Sequence, residues 1–283
     1  MQLCIFYWKW PLNSENKPVV QLLTQHQKGP LIAPALASVG FTLAVTEAFD
    51  TDQLGTFSGE VPRELTPLAC AKRKAELAVA LTGARYGLGS EGSFGGGPVP
   101  GLVSWNDEIL LLHDSVTQRD IVAVVSGPVP LLPWQFADTE TFERLWAQCS
   151  TGQGWMLQRQ QRWYKGLTSA AQIKAILSDT AWLPGEVINL QPDLRAMHCP
   201  ARQQHIIAAA TQLAARLTSV CPQCSATNFW RKDVERGLPC LQCSLPTNQI
   251  KAYISSCDCC GHQTKELVAV SGAEPTWCAF CNP

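Results

Sequence analysis

The chain has 283 residues, a formal net charge of −1, and 46% hydrophobic against 16% charged residues. That composition supports a buried core and excludes an intrinsically disordered chain, and the length suits one sizeable α/β domain with a small appendage. The charge balance excludes the basic excess usual in nucleic-acid binders, and no run of eighteen apolar residues is present to cross a membrane.

Residues 1–16 open on adjacent aromatics followed by Lys9, Trp10 and Pro11, too interrupted for a signal segment, and are expected to be an N-terminal extension. PVVQLLT (18–24) reads as a buried strand, LIAPALASVG as a short helix ending at Gly40, and FTLAVTEAF (41–49) as a second strand. That order predicts a βαβ unit with parallel strands. A polar loop over 50–64 follows. Thr66 then caps a helix entered at Pro67 and stopped before Gly83, with Leu68, Ala71, Ala75, Ala78 and Leu81 on one stripe.

ARYGLGSEGSFGGGPVPG (84–101) reads as a strand passing into a glycine-rich loop that holds Glu91, and EILLLHD with DIVAVVSGPV as a hairpin or two neighbouring strands. A helix is expected from Thr139 to Cys149, capped by Asp138 or Thr139, then a WMLQ strand, a helix around Ala170–Leu177 capped by Ser169, and a strand over 186–191. Pro200 starts a strong helix that runs into Cys221. The expected division is therefore an extension (1–16), an α/β domain (17–200), a connecting helix (201–219) and a cysteine-rich module (220–283).

That module carries four Cys-x-x-Cys pairs: Cys221/Cys224, Cys240/Cys243, Cys257/Cys260 and Cys278/Cys281. Two thiolates on one tight turn, met by a second such turn, complete a tetrahedral Cys4 shell for Zn2+. Gaps of fifteen residues (225–239) and seventeen (261–277) suit two zinc ribbons in tandem, hence two structural zinc sites. A disulfide framework is the rival, and nothing marks the chain as secreted. The cysteine usage fits the reducing cytoplasm. Cys259 is a further candidate ligand beside Cys257 and Cys260.

Three polar clusters lie in loops after strands, where open α/β sheets bind ligands. Thr24–Gly29 places His26 and Lys28 before a helix, an anion seat or a plain solvated turn. Asp50, Asp52 and Glu60, beside Arg63 and with Glu91, offer hard carboxylates suited to Mg2+ shared with phosphates, or form a mobile acidic loop. Asp193, Arg195, His198 and Arg202 offer a guanidinium clamp for phosphate, or a structural ion pair.

DTDQLGTFSGEVPR, SEGSFGGGP, DLRAMHCPAR and GLPCLQC together resemble an uncharacterised bacterial domain-of-unknown-function family with C-terminal zinc ribbons, over roughly 18–283. More distantly, KAELAVALTGARYGLGSEGS is similar to the core of the inosine triphosphate pyrophosphatase-like superfamily. That resemblance implies a mixed sheet with flanking helices. It sets Glu91 at the metal-binding acid, Lys74 and Ala75 at the KA pair, Lys28 at the phosphate-binding lysine, and His198 and Arg202 at the late His-Arg. Ala69 stands where many members carry a metal-binding Glu, so Glu60 or Glu64 would substitute.

The leading expectation is a Mg2+-dependent pyrophosphohydrolase of non-standard nucleoside triphosphates, or a related phosphate-ester hydrolase. Glu91, Asp52 and Glu60 would hold the metal and activate water, while Lys28, Arg63, Arg195 and Arg202 would neutralise a phosphate-bearing nucleotide. The alternative is a binding protein whose ribbons take nucleic acid or a partner protein through Phe229, Trp230, Arg231 and Lys232.

Overall fold

The computed structural model describes residues 17–54, 62, 64–95, 97–98, 104–159, 162–179 and 186–283. The expected extension (1–16), Glu60, Arg63 and the side chain of Asp52 lie outside the described residues. The described residues separate into two compact units, 17–213 and 214–283.

The first unit opens with the expected βαβ. Strand β1 (Val19–Leu23), helix α1 (Gly29–Ala37) and strand β2 (Thr42–Thr46) bring β1 and β2 together in parallel, Val19 opposite Thr42. Helix α2 (Pro67–Thr82) begins where a hydroxyl cap and a proline dictate: Thr66 Oγ1 accepts from the Ala69 amide, and Gly83 closes the helix at φ 71°.

Strand β3 (Tyr86–Phe94) returns parallel to β1, and β4 (Trp105–Asp114) with β5 (Arg119–Pro128) add the antiparallel hairpin. The sheet order is β2-β1-β3-β4-β5. Its core includes Val20, Leu22, Ile32, Leu36, Leu88, Leu110 and Leu112, none of which is exposed to solvent.

One local expectation is corrected here. Glu91 does not sit on a glycine-rich bend, because the strand continues through it to Phe94 with Glu91 opposite Ile109. Glycine serves packing rather than looping in this stretch. A Cβ on Gly89 would collide with the Ala71 carbonyl, so α2 can rest on the strand only where no side chain intervenes.

A second sheet follows in the order β6-β9-β7-β8: the expected strands β7 (Trp155–Arg159) and β9 (Ile188–Pro192), joined by β6 (Trp134–Phe136) and β8 (Arg162–Leu167), which the sequence did not reveal. Helices α3 (Thr139–Trp146), capped by Asp138, and α4 (Ala170–Asp179) contribute Phe142, Ile173 and Leu177 to its core with Phe136, Trp155, Leu157 and Leu190. Trp134 lies on Trp155 with ring centroids 3.9 Å apart. Helix α5 (Pro200–Thr218) carries the chain out of this unit.

The second unit contains a three-stranded antiparallel sheet, β10 (Trp230–Arg236), β11 (Ile250–Ser256) and β12 (Gln263–Leu267), with one Cys-x-x-Cys turn before it, one after each of β10 and β11, and the last beyond β12. No helix among the described residues is long and apolar enough to cross a membrane.

Candidate functional site

Side chains alternate across a strand, and in β3 this alternation divides the expected phosphate site in two. Gly89 and Glu91 face α2. There Glu91 Oε2 takes the Lys74 ammonium at 2.5 Å and the Cys70 thiol at 3.4 Å, all three residues being buried. Ser90 and Gly92 face the other way, toward the start of α1 and the first turn of α5.

On that second face Lys28 Nζ donates to Ser90 Oγ at 2.9 Å and lies 3.8 Å from Glu108 Oε2. The Arg202 Nε pairs with Glu108 Oε1, and Arg202 Nη1 donates to the Leu194 carbonyl at 2.7 Å. Asn106 Nδ2 reaches Glu108 Oε1 at 3.3 Å, and His205 Nδ1 lies 2.9 Å from Asn106 Oδ1. Lys28, Ser90, Asn106, Glu108 and Arg202 are each less than a twentieth exposed. A Cβ on Gly92 would strike both the Arg202 guanidinium and the Glu108 carboxylate, so only glycine admits this pair beside the strand.

The local sequence explains the convergence. The turn after β1 ends at Lys28, the N-cap of α1, whose side chain folds back over β3 just beyond the last β1–β3 pair, Leu22 and Leu88. Gly92 pairs with Glu108 across β3 and β4, which fixes the carboxylate on the same face. The cluster therefore occupies the carboxyl ends of the parallel strands β1 and β3, where ligands bind in open α/β sheets. Burial pushes the Lys28 ammonium down to about 8; Arg202 and Lys74 add to the fall, while Glu108 and Glu91 oppose it.

Of the residues singled out from sequence, Lys28 and Arg202 thus meet through Glu108, and Glu91 stands with Lys74 on the opposite face. His26 lies in the turn before Lys28, its amide donating to Thr24 Oγ1 at 3.2 Å. Arg195 forms a two-pronged pair with Asp193, Nη2 to Oδ2 at 2.7 Å and Nε to Oδ1 at 3.0 Å. Asp193 Oδ2 also accepts from the Gly166 amide at 3.0 Å, and the His198 carbonyl accepts from Gly154 at 2.7 Å. Burial raises the Asp193 carboxyl, but the Arg195 hydrogen bonds outweigh it and hold the group below the usual range. Asp193 and Arg195 thereby tie the end of β9 to β8, a structural task.

Sequence reasoning left Glu108 and Asn106 out. Their signal was present, since they alternate onto the same face as Leu110 and Leu112, two polar side chains continuing an apolar row.

Mg2+ does not fit the described carboxylates. Glu91 is occupied by Lys74, Glu108 lies between Lys28 and Arg202, and among the described residues the only groups of three or more metal-capable side chains are cysteine quartets.

Those quartets are Cys221, Cys224, Cys257 and Cys260, and Cys240, Cys243, Cys278 and Cys281, with the sulfurs of each within 4.8 Å of one another. All eight expected cysteines take part, but the pairing is corrected. First joins third and second joins fourth, so the clusters interleave where tandem ribbons were expected. Cys259 belongs to neither quartet.

Tetrahedral Zn2+ with bonds of about 2.3 Å requires sulfurs about 3.8 Å apart. The pairs Cys221–Cys260, Cys224–Cys257, Cys240–Cys281 and Cys243–Cys278 stand at 3.7, 3.5, 3.9 and 3.6 Å. These spacings suit zinc and are far beyond a disulfide bond of about 2.05 Å. Each turn is built alike, with the amide four residues on returning to the first cysteine's carbonyl, as in Ser225 to Cys221 at 2.8 Å and Ser244 to Cys240 at 2.9 Å. Zinc bound there would supply folding free energy rather than chemistry.

The interleaving follows from the sheet. β10 leads from the first pair to the second, β11 returns to the third, and β12 leads on toward the fourth. The quartets consequently stand at opposite ends of the sheet, roughly 20 Å apart for a seven-residue strand.

The aromatic and basic residues expected on the first ribbon are engaged. Phe229 packs on Cys221, Ala226 and Cys257 and stacks on His262. Arg231 pairs with Glu266 at 2.6 Å and Lys232 with Asp258 at 2.5 Å.

No curated protein and no solved structure matches the chain. A family profile described as Domain of unknown function (DUF6671) matches residues 74–283, and the chain therefore belongs to that family.

Proposed function

We propose that the α/β unit is a hydrolase of phosphate esters, nucleotides being the substrate class, and that it works at the carboxyl edge of β1 and β3. The observation that carries this reading is the meeting of Lys28 and Arg202 on one carboxylate, Glu108. Two cationic donors against one acid leave an excess of positive charge in a place shielded from water, where a phosphate would be held strongly. The phosphate takes over from Glu108 as partner of Arg202, with Lys28 beside it. Glu91 and Lys74, on the far face, hold α2 to the sheet and do not touch it. Mg2+ enters this reading only as the ion that accompanies a nucleotide.

The test is a panel of standard and non-standard nucleoside triphosphates and simple monoesters, followed for phosphate and pyrophosphate release with and without Mg2+. Turnover by the wild type, lost in Arg202→Met while circular dichroism stays native, is the expected result. A panel that yields no product defeats the proposal.

A second reading, a zinc module that contacts a partner protein, is favoured by Leu241, Trp277 and Phe280, which are 61, 63 and 73% exposed on or beside the turns of the second quartet. Nucleic acid is disfavoured at the first quartet, because Arg231 and Lys232 beside it are already paired with acids. Retention of single-stranded RNA by the isolated chain would reverse that preference.

A further inference from the structure

We propose that Ser90 is the nucleophile of this site and Lys28 its general base. The inference rests on the phosphate-ester reading above and names the attacking group of that reaction.

A hydroxyl becomes nucleophilic when a base lies within hydrogen-bond reach and a third group orients the base. Lys28 Nζ stands 2.9 Å from Ser90 Oγ, and Glu108 Oε2 stands 3.8 Å from Lys28 Nζ. Glu108 Oε2 accepts no hydrogen bond among the described residues, so its charge is directed at the lysine, while Arg202 holds the other oxygen. All four residues are buried. Burial also brings Lys28 to about 8, so an appreciable fraction is neutral near neutral pH and able to accept a proton.

The step balances without a redox partner. Ser90 Oγ bonds to phosphorus as the bond from phosphorus to the leaving oxygen breaks, and the hydroxyl proton passes to Lys28 Nζ and on to that leaving oxygen. Lys28 becomes cationic just as negative charge builds on the phosphoryl group, so ground-state binding falls chiefly to Arg202. Water then attacks the seryl phosphate and gives its proton to Lys28. Ser90 Oγ departs with that proton, which restores the site.

The experiment treats the full-length, zinc-loaded protein with a fluorophosphonate, which marks activated serines by loss of fluoride, and locates the adduct by peptide mass spectrometry. The expected adduct lies on Ser90. Its rate rises as pH passes about 8 and falls at least ~100-fold in Lys28→Arg, which keeps the charge but cannot take a proton. Should that variant fail to melt cooperatively, Glu108→Gln replaces it. Loss of the acid would move the midpoint of the pH profile downward.

No adduct on the wild type, an adduct on another serine, or a rate indifferent to the variant in use overturns the inference. Labelling of Ser90 in a protein that turns over no phosphate ester keeps the nucleophile and removes the substrate reading. Nucleotide turnover that survives Ser90→Ala does the reverse.

Discussion

Lys74 Nζ lies 2.5 Å from Glu91 Oε2 on the side of the central sheet turned away from Lys28. The pair is nearly dry, and its worth is best read from what happens when one member is removed. Glu91→Gln strands a buried ammonium and is expected to cost about 3–5 kcal/mol of unfolding free energy, measured by urea titration. The double variant Glu91→Leu/Lys74→Met should regain much of that loss. Additive losses would show that the two residues act independently.

Lys28 makes stability depend on pH. Its folded value, about 8, lies below its ordinary 10.5, so between those values the unfolded chain holds the proton more tightly and stability rises with pH. Relative to Lys28→Met, the wild type should gain on the order of 3 kcal/mol as pH climbs through that window. Paired thermal melts check the sign. A gap that stays flat from pH 7 to 10.5 would mean Lys28 is charged throughout.

Interleaved cysteine pairs couple the two metal sites. Two zinc ions per chain are expected, and Cys240→Ser, a ligand of the second quartet only, should weaken binding at the first as well, because β10 and β11 lose their anchor at one end. Zinc release followed with a chromogenic chelator decides this. Loss of one ion with the other held at unchanged affinity would show the sites to be independent.

Gly89→Ala adds a methyl where the Ala71 carbonyl already sits. Moving α2 off β3 disturbs the layer of Ala71, Ala75, Ile109 and Leu111, so a loss of about 2–3 kcal/mol is expected in the thermal midpoint analysis. An unchanged midpoint would mean that α2 shifts freely.

Much of the first unit was legible because its signals are local. The Thr66-Pro67 entry, the Gly83 stop and the apolar runs of β1, β4 and β5 each declare themselves within a few residues. GLGSEGS was misread because glycine suits both a loop and a strand lying against a helix backbone, and only the packing partner separates the two. Strands β6 and β8 hid for a different reason. β6 is three residues long and β8 (RWYKGL) is mostly polar or half-exposed at a sheet edge, so neither shows an apolar run.

The site was half legible. Lys28 and Arg202 stood out by charge and position, whereas the side of β3 that each neighbour occupies is set by strand parity, which an uncertain strand boundary conceals. All eight cysteines could be read from spacing, yet their partnership could not, since each gap admits more than one way home.

The crossed pairing makes the cysteine-rich region indivisible. Tandem ribbons would part cleanly between Cys243 and Cys257, each half keeping a whole ligand set. Here a break at that point severs the loops of both quartets at once, leaving two pieces that each hold only half of every shell. Such a region must be inherited, expressed and truncated as one block.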